Sequence, residues 1–500
     1  MTLPAEQAAT AALLQALAGA PPLETHISAV FIGADTVYKL RKAVRLPFLD
    51  FTRLAERERT ARREHALNAA AAPGLYRDVV PICRAADGTL HLGGDGAVVD
   101  WVLRMAPVPA ADFLDRMAAD GRITPVVLDQ LADAIATYQA GLPPLSTDPL
   151  PAFDALIAGN VASALSAGLP PDAVAHWHAG IAAARAAIAP WLVARRDGGF
   201  VRRIHGDLHL GNLCLWHGQP TPFDALEFDE ALAEFDVGYD LAFLLMDLEA
   251  RLDRAAANRV LNRYLARTGD WSIVTGLPLF LSLRAMVRAH VEQRSGHPAR
   301  AADYLARARA SLTPAPPLVL GIGGLPGTGK STLARAVAPS LGPAPGAVIV
   351  RSDEIRKRQH GTAPEQKLPQ DTYTAAASAA VFAELAAAVR TLAAAGHAVV
   401  ADATFMAPAH RALLAQSAGR TPCLGIWLHA PLAVLEARVA ARRDDASDAD
   451  LTVLRQAARH DPGPGTWRAI DATDGDAARR KVVAAAQDAY VLNADHHAAR

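Results

Sequence analysis

The chain has 500 residues, of which 51% are hydrophobic and 20% are charged. This length predicts two to four folded domains, and the composition excludes a largely disordered protein. Fifty basic residues against 51 acidic residues leave a net charge of −1, which argues against a generic nucleic-acid or membrane-surface binder. Three scattered cysteines without a C-x-x-C pair argue against structural zinc and disulfides, and predict a cytoplasmic location.

The first predicted element is an amphipathic helix near the amino terminus. Leu13, Leu14 and Leu17 recur at helical spacing, and Glu6 and Gln7 stand where a signal peptide would carry Lys or Arg. No apolar run approaches the roughly 18 residues needed to span a bilayer. We therefore expect a helix packed in a folded domain, and no membrane segment.

Residues 24–110 predict a small, mostly β lobe. Short alternating runs such as HISAVFIG, TVYKL and VVDWVLRM surround one helical stretch, ERERTARREHALNAA. From about 111 to 200, and again from 240 to 312, Ala- and Leu-rich residues have helical periodicity. Residues 1–313 are therefore predicted to form one bilobal domain, in which the helical lobe begins at about residue 111.

Two residues of the β lobe are candidates for contacts with a nucleotide. In a kinase fold, a strand Lys binds the α- and β-phosphates and pairs with a helix Glu. TVYKL offers Lys39 in a V-x-K context and the following helix offers Glu64, with Lys42, Glu56 and Glu58 as alternatives. The run WVLRM stands where a hinge between the lobes would receive adenine.

A second motif, HGDLHLGNL at 205–213, predicts a catalytic loop. Asp207 and Asn212 have the spacing of H-R-D-x-x-x-x-N, in which the Asp accepts the acceptor's proton and the Asn holds Mg²⁺. TPFDALEF then supplies Asp224 as a second metal-binding carboxylate, with Glu227 as a candidate additional ligand. The two histidines of the motif also have metal-pair spacing, but no Glu follows the first and no third ligand is evident, so zinc is disfavoured.

Departures from the protein-kinase pattern indicate a small-molecule acceptor. Gly206 replaces the Arg that grips a phosphorylated activation loop, and eleven residues separate Asn212 from Asp224, with neither D-F-G nor A-P-E. Only Gly33, and no G-x-G-x-x-G, precedes Lys39, so a reduced phosphate cover is expected. HGDLHLGN and the later FDVGYDLAFLL resemble the aminoglycoside phosphotransferase family, and this resemblance implies a kinase-like fold.

The clearest domain boundary is the Pro-rich stretch TPAPP. Prolines lack the backbone donor and disfavour helical geometry in the residue before them, so we place a linker at 314–317. Beyond it, at 318–495, the strands LVLGIGG, AVIVRSD, HAVVADAT and CLGIWLHA alternate with helices, which predicts a parallel α/β sheet. The predicted fold class is therefore multidomain, a bilobal kinase-like α+β domain followed by a P-loop NTPase α/β domain.

The segment GLPGTGKS, residues 324–331, fits G-x-x-x-x-G-K-[ST] between a strand and a helix. Its glycines let backbone N–H groups turn toward phosphate oxygens, and the helix N-terminus adds positive dipole. Lys330 is expected to reach the β- and γ-phosphates, and the Ser331 hydroxyl to ligate Mg²⁺. The predicted nucleotide-binding residues of this loop are Gly324, Gly327, Thr328, Gly329, Lys330, Ser331 and Thr332.

Charged residues follow the next strands of this predicted sheet. Asp353 stands where a carboxylate can accept the proton of an acceptor hydroxyl, and Arg356 and Arg351 can hold an anionic acceptor or the transferring phosphoryl group. Asp402 ends the third strand and is predicted to hold Mg²⁺ or to orient its neighbours.

A helix farther along carries Arg438 and Arg442 on one face, at i, i+4. They are expected to close over a triphosphate and neutralise its charge. GLPGTGKST, SDEIRK, VADAT and this arginine pair resemble the P-loop kinase group that contains polynucleotide kinases, zeta-type toxins and gluconate-type kinases. The resemblance implies Asp353 as base, Arg356 as a ligand of acceptor phosphate, and lid arginines that bind the nucleotide.

The order of both halves resembles bacterial bifunctional aminoglycoside phosphotransferase/ATP-binding proteins. The expected function is that of an ATP- and Mg²⁺-dependent enzyme with two phosphotransferase modules and an unidentified hydroxyl acceptor. Two alternatives stay open at this point. In one, a module binds nucleotide only as a regulatory switch. In the other, the amino-terminal module transfers a nucleotidyl group. Residue spacing does not separate these cases.

Overall fold

The computed structural model of the protein describes residues 3–46, 49–441, 446–463 and 465–498. Two compact units account for the chain, and they consist of Met1–Ala152 with Val193–Leu244, and of Phe153–Leu192 with Leu245–Arg500. We call them the first and the second unit. They divide the chain at positions other than the Pro-rich stretch at 314–317, and the predicted domain boundaries stay a prediction.

The amino-terminal elements follow the predicted order of a mostly β part and a helical part. They are α1 Ala8–Ala18, β1 Leu23–Glu24, β2 Ser28–Ile32, β3 Val37–Arg41, β4 Arg45–Leu46, β5 Leu49–Asp50, α2 Leu54–Asn68, β6 Tyr76–Arg84, β7 Leu90–Leu92, β8 Ala97–Met105, α3 Leu114–Ala119, α4 Pro125–Ala140, α5 Pro149–Ser166, α6 Pro171–Ala187, α7 Ala189–Asp197, β9 Val201–Arg203, β10 Leu213–Trp216, β11 Gln219–Pro222 and β12 Glu234–Asp236.

An antiparallel sheet forms the core of the β part in the first unit. Its strand order is β1-β2-β3-β8-β6-β7. Because side chains alternate along a strand, Leu40 of β3 faces the apolar core with Phe31 and Val102, while Lys39 and Arg41 share the other face. The predicted amino-terminal helix is present as α1, and its Leu14 is buried in this core.

The remaining elements are mostly helical at first and then alternate between strand and helix. They are α8 Val237–Arg251, α9 Arg254–Thr268, α10 Leu277–Arg294, α11 Pro298–Ala310, β13 Val319–Gly324, α12 Lys330–Val337, β14 Val348–Arg351, α13 Ser352–Gln359, α14 Ala375–Ala394, β15 Val399–Asp402, α15 Pro408–Ala418, β16 Cys423–His429, α16 Leu432–Ala441, α17 Leu451–Ala457, β17 Arg468–Asp471 and α18 Gly475–Ala498.

A five-stranded sheet in the second unit has the order β14-β15-β13-β16-β17, and all of its strand pairs are parallel. The chain leaves β13 for β14 on one side, returns to β15, and then crosses to β16 on the other side. The carboxyl end of β13 is therefore the point where the direction of winding reverses, and ligands bind at this point in open α/β sheets.

Helix α14 is, among the described residues, the one helix long and apolar enough by composition to cross a membrane. The sequence analysis did not identify this segment as a candidate membrane span. Its apolar character comes mainly from alanine. The helix carries Glu384, and its Val381, Leu385 and Val389 are buried in packing against β14 and β15. A helix with one buried apolar face is typical of packing on a sheet.

Candidate functional sites

The first candidate site lies on the polar face of the antiparallel sheet. Strand β3 carries Lys39, and its Nζ atom donates to Oε1 of Glu64 on α2 at 2.7 Å. The same Nζ atom lies 2.5 Å from Oδ1 of Asp224. Burial alone would lower the pKa of Lys39, but Asp224 and Glu64 outweigh it and raise that pKa above its ordinary value. The structure thus brings together the predicted lysine, the helix acid and the acid that follows the catalytic loop.

The alternative residues of the β lobe make other contacts. Lys42 is buried and donates to Glu24 and to the carbonyl oxygen of Thr25, at 2.8 and 2.7 Å. Glu56 and Glu58 pair with arginines one turn further along the exposed face of α2. From sequence spacing alone, Lys42 was an alternative to Lys39, and Glu56 and Glu58 were alternatives to Glu64. In the structure, these three residues lie on other strand and helix faces, away from Asp224.

A second cation, which sequence reasoning missed, reinforces this cluster. Arg41 lies two residues after Lys39 on the same face of β3, and its Nη2 atom forms ion pairs with both Glu64 and Glu227. Glu227 is buried and held by this arginine, so it does not stand free as the additional metal ligand that the sequence suggested. Burial raises the pKa of Glu227 to about 7, against the opposing charge of Arg41. The sequence signal for this second cation was that Lys39 and Arg41 are two residues apart on a predicted strand, which places both side chains on the same face.

Asp224 has a left-handed backbone conformation, with φ of 60°. Non-glycine residues adopt this conformation when their surroundings hold it, and such residues concentrate at functional sites. The Asp224 N–H donates to the Tyr76 hydroxyl at 2.9 Å, and the N–H of Ala225 donates to Oδ1 of Asn68 at 3.0 Å. Partial removal from water would raise the pKa of Asp224, whose side chain is partly exposed, but the charge of Lys39 lowers it to about 2. The carboxylate is therefore ionised at neutral pH.

The predicted catalytic loop forms a compact polar turn. The amide Nδ2 of Asn212 donates to the backbone oxygen and to Oδ2 of Asp207, both at 2.9 Å. Nε2 of His209 lies 3.5 Å from the same Oδ2 atom, so this histidine accompanies Asp207. Because Nδ2 of Asn212 faces Asp207, the amide oxygen is the atom that remains available to a cation.

A buried carboxylate holds the start of this loop. Asp240, on α8, accepts hydrogen bonds from the backbone N–H groups of His205 and Gly206, at 2.6 and 3.0 Å. Gly206 has φ of 85°, and a Cβ there would lie 3.0 Å from that of Leu226. Gly206 is therefore required by backbone conformation and space. Burial lowers the pKa of the neighbouring His205, whose Nε2 contacts the Phe223 carbonyl at 2.9 Å.

The oxygen donors near this loop fit Mg²⁺ better than zinc. Within the described ranges, no group of three or more His, Cys, Asp or Glu side chains is gathered as a metal cage. Mg²⁺ is commonly held by one or two carboxylates together with substrate phosphates and water. Asp224, whose side chain is 39% exposed, and the amide oxygen of Asn212 supply such a donor set.

The second candidate site lies at the carboxyl end of β13. The loop that follows contains Gly324, Gly327 and Gly329, all with positive φ. A Cβ on Gly324 would lie 2.5 Å from the Leu428 carbonyl oxygen, and one on Gly327 would lie 2.7 Å from that of Leu435. Only glycine fits these two positions, because the loop backbone packs directly against neighbouring backbone. Helix α12 begins with Lys330, so the loop leads into a helix N-terminus, as the motif predicts.

The remaining residues of the loop have different environments. Nζ of Lys330 donates to the carbonyl oxygen of Leu325 at 3.0 Å, and the buried Thr328 hydroxyl donates to the same oxygen at 2.8 Å. Ser331 is partly buried and Thr332 is exposed, both on the first turn of α12. Thr328 therefore braces the loop, whereas Ser331 and Lys330 lie at its mouth.

Acidic residues surround a buried arginine at the ends of β14 and β15. Arg351 lies 3.4 Å from Asp402, 3.8 Å from Asp353 and 3.9 Å from Glu354. Burial raises the pKa of Glu354, and Arg351 opposes that shift. Oδ2 of Asp402 is buried and accepts no hydrogen bond from the described part of the chain. The same oxygen faces Nε of Arg351, so the geometry fits either predicted role of Asp402, as a Mg²⁺ ligand or as a residue that orients its neighbours. Arg351 is surrounded by carboxylates and so is poorly suited to bind an anionic acceptor.

Beside Asp353, Arg356 stacks over an aromatic ring. Its guanidinium carbon lies 4.7 Å from the ring centre of Tyr373, and Nη2 donates to Oγ of Ser378 at 3.2 Å. The Tyr373 hydroxyl donates to Asp448 at 2.5 Å, and Asp448 also binds the buried Lys357 at 2.8 Å. The sequence carried no local signal for this network, because Asp448 is 91 positions from Lys357.

Of the two predicted lid arginines, Arg438 borders the glycine loop. Its Nη1 atom donates to the carbonyl oxygens of Gly327 and Ala472, at 3.5 and 3.0 Å, and Nη2 donates to that of Thr473 at 2.9 Å. Arg442 lies outside the described residues. Arg438 therefore lies beside the loop that is predicted to bind the nucleotide phosphates.

One family model matches the part of the chain that contains the second site. Residues 319–462 match the AAA domain family. The matched range contains the glycine loop and most of the parallel sheet, in agreement with the predicted P-loop domain. A gluconokinase from Sinorhizobium meliloti 1021 is similar to it, with 20% identity, a TM-score of 0.24, and coverage of 37% of this chain and 95% of that one.

The amino-terminal part is similar to other solved structures. A choline/ethanolamine kinase family protein from Mesorhizobium loti is 13% identical, with a TM-score of 0.37, and the match covers 62% of this chain and 94% of that one. The GDP complex of wild-type aminoglycoside 2'-phosphotransferase-IIIa is 14% identical, with a TM-score of 0.34 and coverage of 58% and 91%. The predicted fold class is confirmed as a mixed helix and strand architecture with a parallel α/β sheet in its carboxyl-terminal part.

Relatives with the same layout exist along nearly the whole chain. Uncharacterized proteins of Mycobacterium tuberculosis and Mycobacterium bovis are each 28% identical over an alignment 484 residues long. The alignment covers 90% of this chain and 91% of those proteins. The order of the two parts is therefore shared with these relatives.

Proposed function

We propose that the protein is an ATP- and Mg²⁺-dependent phosphotransferase with two nucleotide-binding modules, which transfers the γ-phosphoryl group to a hydroxyl of a small-molecule acceptor. The observation that carries the proposal is the amino-terminal cluster in which Lys39 contacts both Glu64 and Asp224. A strand lysine, a helix glutamate and a metal-binding aspartate are the parts that position ATP in kinase folds. The cytoplasmic location is part of the proposal.

In the amino-terminal module, the chain's own residues bind ATP and move one proton. Lys39 binds the α- and β-phosphates, and Glu64 holds its ammonium in place. Asp207 accepts the proton of the acceptor hydroxyl as its oxygen bonds to the γ-phosphorus and the bond to the leaving ADP breaks. Asn212 and Asp224 would hold Mg²⁺, which neutralises charge on the phosphate oxygens. Asp240 keeps the loop in position through two backbone hydrogen bonds.

In the P-loop module, the phosphates bind to the backbone N–H groups between Gly324 and Lys330. Lys330 reaches the β- and γ-phosphates from the first turn of α12, and Ser331 and Asp402 would hold Mg²⁺. Asp353 accepts the acceptor's proton. Its position at the start of α13, 3.8 Å from the buried Arg351 and one helical turn before Arg356, supports this role.

The acceptor of each module is proposed to be a small molecule. Eleven residues separate Asn212 from Asp224, too few for the segment on which protein kinases bind protein substrates. The near-zero net charge offers no general attraction to nucleic acid.

Acceptor-dependent ADP release tests the proposal. Wild-type protein, Asp207→Asn and Lys330→Ala are incubated with ATP, Mg²⁺ and fractions of a metabolite extract, and products are read by mass spectrometry. We expect products that are heavier by one phosphate, with each variant losing a different share of turnover. Products heavier by AMP would instead indicate nucleotidyl transfer. Turnover untouched by both variants would favour a nucleotide switch.

A further inference from the structure

Helix α9 presents a polar stripe at four-residue spacing. Arg254, Asn258 and Asn262 recur along one face, since residues four apart lie above one another on a helix. The side chains of Asn258 and Asn262 are only 2% and 9% exposed. Both α9 and the parallel sheet belong to the second unit. The sequence had placed this helix in the kinase-like domain, before the Pro-rich stretch.

The stripe binds the edge of the parallel sheet. Strand β14 is the outermost strand, and an edge strand has backbone groups that no neighbouring strand pairs. The N–H of Ile349 donates to Oδ1 of Asn262 at 2.6 Å. The Ala347 carbonyl oxygen accepts from Nδ2 of Asn258 at 3.0 Å and from Nδ2 of Asn262 at 3.2 Å. The two amides therefore replace the hydrogen bonds of a missing strand.

Close packing accompanies these bonds. A Cβ on Gly346 would lie 2.8 Å from Nδ2 of Asn258, so the chain approaches the helix where only glycine fits. Nη2 of Arg254 donates to the Gly342 carbonyl oxygen at 2.7 Å. A buried backbone group left without a partner destabilises the fold, so these contacts are part of the domain's fold.

The same helix holds the segment that follows the proposed base. Arg358, on α13, donates to the carbonyl oxygen of Ala266 at 2.7 Å, and its guanidinium lies 5.3 Å from the ring centre of Trp271. Arg263 pairs with Glu365 in the loop beyond α13, at 2.6 Å. Contacts from α9 thus hold the strand before Asp353, the helix that contains it, and the loop after it.

We propose that Asn262 and Arg358 are positioning residues for the P-loop site, and that α9 sets the location of the Asp353 carboxylate. The inference rests on the proposed function of Asp353 as the base. Asp353 follows β14 by two residues, so a shift of that strand moves its carboxylate relative to the phosphates. The glycine loop and Lys330 follow β13, two strands away, and keep their own supports. Loss of α9 contacts should therefore impair transfer more than nucleotide binding.

Full-length Asn262→Ala tests the inference in an Asp207→Asn background, which silences the other module. The measurement is steady-state ADP release with ATP and Mg²⁺, and water serves as the acceptor. We expect kcat to fall about 10-fold while KM for ATP changes less than about 2-fold, because misplacement of a catalytic group by about 1 Å can cost up to 100-fold. Arg358→Lys, at a partly exposed position, should produce the same split without a buried amide being removed.

Asn160→Ala is the matched control. Asn160 is a buried asparagine on α5 whose Nδ2 donates to Leu156 of its own helix at 2.9 Å. Its replacement should lower the stability of the protein but leave both kcat and KM for ATP close to the values of the background protein. The inference is overturned if Asn262→Ala and Arg358→Lys leave kcat unchanged, or raise KM for ATP as much as they lower kcat. A different result, ADP release that is unaffected by Asp353→Asn or by Lys330→Ala, would instead remove the function proposed for the P-loop module.

Discussion

Lys39 and Asp224 are 185 positions apart in the sequence, and Nζ of the lysine lies 2.5 Å from Oδ1 of the aspartate. The same ammonium group contacts Glu64 at 2.7 Å. One strand cation is therefore shared by two carboxylates, one from helix α2 and one from the segment after the catalytic loop. This shared contact joins the β part to the residues proposed to hold Mg²⁺.

Replacement of the shared cation should remove one of two nucleotide sites. Isothermal titration of the wild type with ATP and Mg²⁺ is expected to give two moles of nucleotide per mole of chain, and Lys39→Met one mole, because phosphate contacts are lost. Lys42→Met serves as the control, since Lys42 pairs with Glu24 instead. A wild-type stoichiometry of one, unaffected by Lys39→Met, would contradict the assignment.

Glu227 should make the first unit less stable as the pH rises. Its pKa is about 7 in the folded chain and near 4.3 when unfolded, so the folded state binds more protons in between. The free energy of unfolding is therefore expected to fall from about pH 4 to pH 7 through this group. Glu227→Gln should flatten that slope in urea unfolding followed by circular dichroism.

The control for this pH dependence is Glu56→Gln. Glu56 lies on α2 and pairs with Arg59 on the surface, so its replacement should leave the slope as in the wild type. A slope that survives in Glu227→Gln would assign the titration to another group. The Asp224 pKa of about 2 predicts an opposite loss of stability only as pH falls from about 4 toward 2.

Gly327→Ala should lower ATP affinity at the P-loop and should also destabilise the protein. We expect the total loss to exceed the cost of the backbone conformation alone. The positive φ costs a non-glycine residue about 1 to 2 kcal/mol, and the new Cβ would also meet the Leu435 carbonyl at 2.7 Å. Gly396→Ala is matched in φ, at 71°, with open space around it. Titration with ATP and thermal unfolding of both variants separate the two effects, and equal behaviour would argue against the close contact.

Asp353→Asn should preserve ATP affinity in the P-loop module and lower phosphoryl transfer about 100-fold, because an amide cannot accept the proton. Single-turnover ADP formation in an Asp207→Asn background measures the change. Asp371→Asn, at an exposed acid of the following loop, should retain transfer. Parallel losses of affinity and transfer in Asp353→Asn would make Asp353 a binding residue instead of a base.

Much of the P-loop site could be predicted because its parts are contiguous. The glycines, Lys330 and the strand and helix on either side lie within a few residues, and local geometry alone brings them together. The spacing of Asp207 and Asn212 within one turn was readable for the same reason. Arg41 could not be predicted as the partner of Glu227, since the two are 186 positions apart and no short-range pattern links them.

What the sequence determined by itself is the set of short-range motifs and the order of strands and helices, because hydrophobic periodicity and turn residues act over a few positions. Only the tertiary structure decided which lysine meets Asp224, and that α9 packs on the edge of the parallel sheet. Those contacts depend on how distant segments bury their polar groups against one another. The backbone groups of an edge strand can form hydrogen bonds with any suitably placed side-chain amide. No sequence motif therefore predicts the partner of Asn262.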